Sequence, residues 1–131
     1  MNQSGDLYAG LHHVSLLVSD IEQSARFYIE DLGMQVASGR PQMPFRGLWL
    51  QIGAQQIHLL ELAMSALEHG MESPARDAHC ALAVTDINVV KEKLSLLAIP
   101  YQLSKSGRKA LFCRDPDGNG LEFVEVQDDS I

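Results

Sequence analysis

The sequence predicts an α+β fold made of two copies of one βαβββ module. Three observations carry that prediction: an internal repeat, an alternating strand pattern, and a helix signal at the same place in each half. Residues 11–21 read LHHVSLLVSDI and residues 77–87 read DAHCALAVTDI, so His13, Asp20 and Ile21 align with His79, Asp86 and Ile87 at an offset of 66. Near the end of each half, QIHLLEL (56–62) aligns with GLEFVEV (120–126) at an offset of 64, so the intervening segments differ by two residues.

The opening strand of each half has two unlike faces. Val14, Leu16 and Val18 share one face, and so do Cys80, Leu82 and Val84; the other carries His13, Ser15 and Leu17, or His79, Ala81 and Ala83. Period-two alternation of this kind marks a strand whose bulky face meets a helix. That helix follows directly. Ser19 and Glu22 stand at capping-box spacing, with Asp20 as another N-cap candidate. Ile21, Ala25, Tyr28 and Leu32 recur at helical spacing, and Gly33 ends the run. In the second half Ile87, Val90, Leu94 and Leu97 form the same stripe, and Pro100 bars continuation.

Three shorter β-like runs complete each half, at 34–38, 45–52 and 55–62, then at 99–103, 110–114 and 120–126. Gly53-Ala54 reads as a tight turn, and Asp115-Pro116-Asp117-Gly118-Asn119 as a stronger one. The expected organisation is a tail at 1–10, module 1 at 11–62, a linker at 63–76 with a short helix near 65–69, and module 2 at 77–127.

Composition narrows the function. Ten basic and 17 acidic side chains give a net charge of −7, which argues against nucleic acid as a partner. No apolar run approaches the about 20 residues of a membrane helix. The first ten residues lack an apolar signal core, and two cysteines are too few for a disulfide framework, so the cytoplasm is the expected compartment.

Four polar residues interrupt apolar strands at repeat-equivalent places. His13 matches His79 on the opening strands, and His58 matches Glu122 on the closing ones. Pseudo-two-fold packing of the halves would bring all four to one point. A buried carboxylate is costly unless paired or coordinated, and a divalent metal would account for it and for the imidazoles nearby. His12 has the opposite parity and should point away, while Glu61 and Glu125 face opposite to His58 and Glu122 and should lie on the surface.

The stretches LHHVSLLVSDIEQSARFYIEDLGM, QIHLLEL, HCALAVTDI and FCRDPDGNGLEFVEV resemble the vicinal oxygen chelate superfamily, which includes glyoxalase I, fosfomycin-resistance proteins, extradiol dioxygenases and bleomycin-resistance proteins. The resemblance spans nearly all of residues 11–126. It implies paired modules forming a half-open barrel around a metal site, with one divalent metal (zinc, nickel or iron, or manganese) held by His13, His58, His79 and Glu122. His58 and Glu122 are then also the catalytic candidates. His58 stands where glyoxalase I has a proton-transferring glutamate, a departure that counts against glyoxalase I activity itself. Arg46, Trp49, Gln51 and Arg108, with Phe45, are candidates for a substrate pocket. The resemblance further implies a small-molecule substrate that chelates metal through adjacent oxygens, and a homodimer, with the site either within one chain or shared across it. A glyoxalase-like lyase or isomerase is the leading reading. An extradiol-type dioxygenase ranks lower, because four protein ligands would crowd substrate and oxygen on one ion. A non-catalytic binding protein and a fosfomycin-type transferase stay open.

Overall fold

The computed structural model describes residues 7–62 and 78–126. The linker at 63–76, with its expected short helix, lies outside them, as do residues 1–6, 77 and 127–131. The first module comprises β1 (His13–Val18), α1 (Ile21–Ala25), a π-helical stretch (Arg26–Asp31) continuing α1, β2 (Gln35–Val36), β3 (Gly47–Ile52) and β4 (Gln55–Glu61). The second comprises β5 (His79–Val84), α2 (Ile87–Leu96), β6 (Gln102–Leu103), β7 (Ala110–Arg114) and β8 (Gly120–Glu125). Each module is thus β-α-β-β-β, as the repeat predicts, although β2 and β6 are shorter than their sequence runs.

Each half folds into a four-stranded mixed sheet, ordered β1-β4-β3-β2 and β5-β8-β7-β6. The first and last strands of each module pair in parallel, and the remaining pairs are antiparallel. Among the described residues no strand of one sheet pairs with a strand of the other, so the sheets do not close into a barrel. No described helix is long and apolar enough to cross a membrane.

Alternation decides what each face does. Val18, Leu50, Ile57 and Leu59 are buried on the helix side of the first sheet, with Phe27 and Tyr28 over them. Leu82, Leu111, Leu121 and Phe123 are buried on the second, with Ile87 and Leu94. These side chains belong to one continuous core. Burying each large apolar side chain contributes about 1.5–3 kcal/mol, so this shared core is the main tie between the modules.

The helix starts differ from two expectations. Asp20, rather than Ser19, caps α1, accepting from the backbone N–H of Glu22 and Gln23. The Gln23 N–H, foremost among these, holds the Asp20 carboxyl below its usual range. Glu61 and Glu125 are not solvated side chains. Glu61 Oε2 accepts from Ile21 N–H at 2.8 Å, and Glu125 Oε1 accepts from Ile87 N–H at 2.9 Å. Their parity is as expected, but that parity aims the last strand residue at the first helical turn, whose free N–H groups attract carboxylates.

A polar seam joins the modules beside the core. Tyr28 donates its hydroxyl to Asp115 Oδ2 at 2.7 Å, and Asn119 Nδ2 donates to the Leu17 carbonyl at 2.9 Å. Ser19 donates to Asp117 through both backbone and hydroxyl. The strong-turn segment of module 2 is thereby clamped onto β1. Its Gly118 has φ +88°, a conformation glycine adopts at little cost.

The drifting repeat offset has local causes. Asp20 and Asp86, the helix N-caps, stand 66 apart, whereas Gly33 and Ala98, the positive-φ residues after each helix, stand 65 apart. The π-helical stretch holds that extra residue. Ala37 and Gln102 occupy equivalent places, bonded opposite Trp49 and Phe112, so the loop into β3 is two residues longer than the loop into β7. The hairpin turn after β3 then gives one residue back: four residues (52–55) separate paired Gln51 and Gln56, against five (115–119) between Arg114 and Gly120.

Candidate metal centre

The face away from the helix carries the polar residues in both sheets. In the first, His58 lies in register between Ser15 and Trp49. In the second, Glu122 lies in register between Ala81 and Phe112. Small residues on the opening strand therefore leave room on one side, and an aromatic ring closes the other.

His58 is buried and held between two rings. Trp49 stacks on it at 3.9 Å with an interplanar angle of 2°, and His13 stacks on it at 3.9 Å and 15°. Its Nε2 lies 2.8 Å from Gln56 Oε1. A carboxamide oxygen only accepts, so Nε2 carries the proton and Nδ1 keeps a lone pair. Gln56 is oriented in turn by donating to Gln51 Oε1 at 3.1 Å. Burial, followed by the nearby His13 ring, pushes the His58 pKa below its ordinary 6.5. The imidazole is therefore neutral at ordinary pH, the form that binds metal or accepts a proton.

In the second sheet Glu122 is 4% exposed. Its Oε1 lies 3.0 Å from His79 Nε2, and its Oε2 accepts from Arg108 Nη2 at 2.9 Å. Phe112 meets the His79 ring edge-on at 5.4 Å. Trp49 and Phe112 thus occupy repeat-equivalent positions, one beside each pair.

The four candidate ligands fall into two pairs, His13 with His58 and His79 with Glu122, rather than meeting at one point in the chain. Among the described residues, the one group of three or more His, Cys, Asp or Glu side chains with ligand atoms within 4.8 Å of one another is Asp20, Glu22 and Glu61. Those three already serve the start of α1 and Arg46. The donor chemistry of the four does suit a divalent ion of borderline softness, with neutral imidazoles and a buried carboxylate. The cysteines do not: burial raises Cys80 and pushes Cys113 up to about 12.

The pocket candidates divide. Trp49 and Arg108 touch the paired ligands directly. Gln51 reaches them through Gln56. Arg46 is ion-paired with Glu22 and, at 3.6 Å, with Glu61, so its charge serves the start of α1. Phe45 lies beside Arg40, whose guanidinium carbon is 5.7 Å from the ring centre. His12 does not point away: its Nδ1 is 2.9 Å from His13 Nδ1, because His12 precedes β1 and lies outside the strand's alternation. Gln56 is a site residue the sequence reading passed over; its position two before His58, on the same strand face, was the signal.

Paired βαβββ modules carrying equivalent donors on their open faces define a class of small-molecule-handling proteins, and the comparisons agree. The model of the glyoxalase/bleomycin resistance protein/dioxygenase superfamily matches residues 10–123. The chain belongs to that superfamily. It is 31% identical over 120 residues to glyoxylase I 4 of Arabidopsis thaliana, covering 86% of this chain and 68% of that one. A glyoxalase family protein from Enterococcus faecalis superposes with a TM-score of 0.71 at 28% identity, covering 91% of this chain and 99% of that one. The fosfomycin resistance protein FosX from Listeria monocytogenes, complexed with Mn(II) and dihydroxypropylphosphonic acid, shares the fold at a TM-score of 0.70 and 16% identity, covering 92% of this chain and 94% of that one.

Proposed function

We propose that this protein is a divalent-metal-dependent lyase or isomerase of the glyoxalase type, working as a homodimer. His13 of one protomer and His79 and Glu122 of its partner hold the ion, which is zinc, nickel, iron or manganese. The observation that carries this reading is the split of repeat-equivalent donors into two pairs that stand apart within one chain. Each pair is half a coordination shell, and two-fold association, the commonest oligomer symmetry, would join unlike halves. The likeness to glyoxylase I 4 supports the glyoxalase direction, and the Mn(II) complex of FosX supports a metal.

A bound divalent ion would act as a Lewis acid toward two adjacent oxygens of the substrate. The chain's own residues do the rest. Arg108 holds Glu122 Oε2, which fixes the carboxylate and leaves Oε1 to the site. Trp49 and Gln56 lock the His58 ring, whose Nδ1 lone pair is free to take a proton from a substrate carbon beside a carbonyl. His58 is thus the proton-transfer group. Trp49 and Arg108 edge the substrate pocket.

Subunit complementation tests the shared site. His13→Ala and His79→Ala variants should each lose metal by elemental analysis. Co-refolded together, they should regain about one metal per heterodimer, because one of its two sites then has every ligand intact. Mixed dimers that hold no metal would place both histidines in sites within one chain. Turnover is then screened on 2-oxoaldehyde hemithioacetals with the native metal restored.

A further inference from the structure

The two modules contact each other at two pseudo-equivalent junctions, and among the described residues only one is filled. At the first, the five-residue turn 115–119 is plugged by Tyr28, whose hydroxyl bonds Asp115. Leu94 is the counterpart of Tyr28. It lies 66 residues on, is equally buried, and its carbonyl accepts from Ile99 N–H as the Tyr28 carbonyl accepts from Met34 N–H. At the second junction Leu94 therefore brings neither ring nor hydroxyl. The opposing turn, 52–55, is one residue shorter, and the Gln51 side chain bonds back into that hairpin, to the Gly53 and Gln55 carbonyls.

A cavity of about 290 Å³ opens there, between the β3–β4 hairpin and α2. Met34, Ile52, Leu82, Val90, Leu94 and Phe123 are among its apolar lining. Among the described residues no acidic side chain lines it, and one cation does, Lys93. A Cβ placed on Gly33 would lie 3.5 Å from Lys93 Nζ, so the ammonium rests over the bare backbone that ends the first helix. Among the described residues no carboxylate lies within ion-pair distance of Lys93. Neither the three proposed metal ligands nor His58 lines this cavity.

Protein interiors close voids of this size, and an open apolar one is disfavoured unless something fills it. The volume is at the lower end of small-ligand sites and too small for a peptide. An apolar wall with one unpaired cation at its margin matches one ligand chemistry. We propose that this cavity binds a small amphipathic carboxylate, its apolar body of about eight carbons against the partly exposed Met34, Ile52 and Val90 and its carboxylate on Lys93.

Octanoate is the probe, with octanol and octylamine as charge controls, in calorimetric titration of the full chain. One saturable octanoate site per chain is expected, with octylamine excluded. Lys93→Met should weaken octanoate about five- to tenfold and leave octanol unchanged. Val90→Phe, which fills the space, should abolish both. Lys93 is exposed, so its variant reports even if Val90→Phe fails to fold. Methyl resonances of Leu82 and Leu94 should shift with octanoate while the metal content stays constant. The proposal is overturned by the absence of saturable binding, by equal octanoate affinity in Lys93→Met, or by Ile52 methyls already shielded from a soluble paramagnetic probe in the ligand-free dimer, which would make a second copy the occupant.

Discussion

The Tyr28 hydroxyl reaches across the boundary between the modules to Asp115 Oδ2, 87 residues away in sequence, at 2.7 Å. The aspartate also accepts the backbone N–H groups of Asp117 and Asn119 and the Asn119 side chain. One carboxylate therefore shapes a turn and docks a helix. Removing the hydroxyl in Tyr28→Phe leaves a buried acceptor short of a donor and should cost about 1–3 kcal/mol. Urea unfolding measures it, and an unchanged midpoint would refute the docking role.

Burial outweighs those hydrogen bonds and keeps the Asp115 carboxyl above its ordinary 3.8. The folded chain then holds this proton to higher pH than the unfolded chain. The corresponding stability is complete below the ordinary value and is lost as pH rises through the raised one. Wild type should therefore weaken relative to Asp115→Asn as pH rises from the ordinary carboxylate range through the raised one. A difference that is flat or of opposite slope would contradict the assignment.

Gly47 sits where β3 presses on β4. A Cβ there would lie 2.7 Å from the Leu59 carbonyl oxygen, a backbone atom that cannot swing aside. Gly47→Ala should destabilise the chain by about 1–3 kcal/mol through strain. Thermal melting of the variant checks this, and a wild-type melting temperature would count against it.

Replacing His58 by Glu would give the carboxylate that the resemblance places at this position in glyoxalase I. The variant should stay folded, keep its metal and gain hemithioacetal isomerisation if the pocket admits that substrate. Wild type that already turns over this substrate at ordinary enzyme rates, with His58→Ala unchanged, would remove His58 from the reaction.

Much of this was legible from local pattern. Alternation in 13–18 and 79–84 located the opening strands and their buried faces, and the Asp-Pro-Asp-Gly-Asn run located the clamped turn. What escaped depends on long-range geometry. Glu61 and Glu125 had the correct parity, but nothing local says that a strand ends beside a helix start. The runs around β2 and β6 have strand character, yet only two residues of each find a partner. Repeat equivalence placed His13, His58, His79 and Glu122 on matching strands. It carried no information about how one sheet is set against the other, and so could not say whether the two pairs meet within one chain.

The widened turn at Arg26–Asp31 makes the first helix a length buffer. Its surplus residue is absorbed as a bulge before Gly33, so the strands on either side keep their register despite unequal chain lengths. Deleting one residue there should relax the bulge into ordinary α-helix and bring the spacing of the two halves back into step as far as Gly33 and Ala98. Duplicated halves can in this way accumulate insertions and deletions independently, while the positions that must face each other across the fold stay where they are.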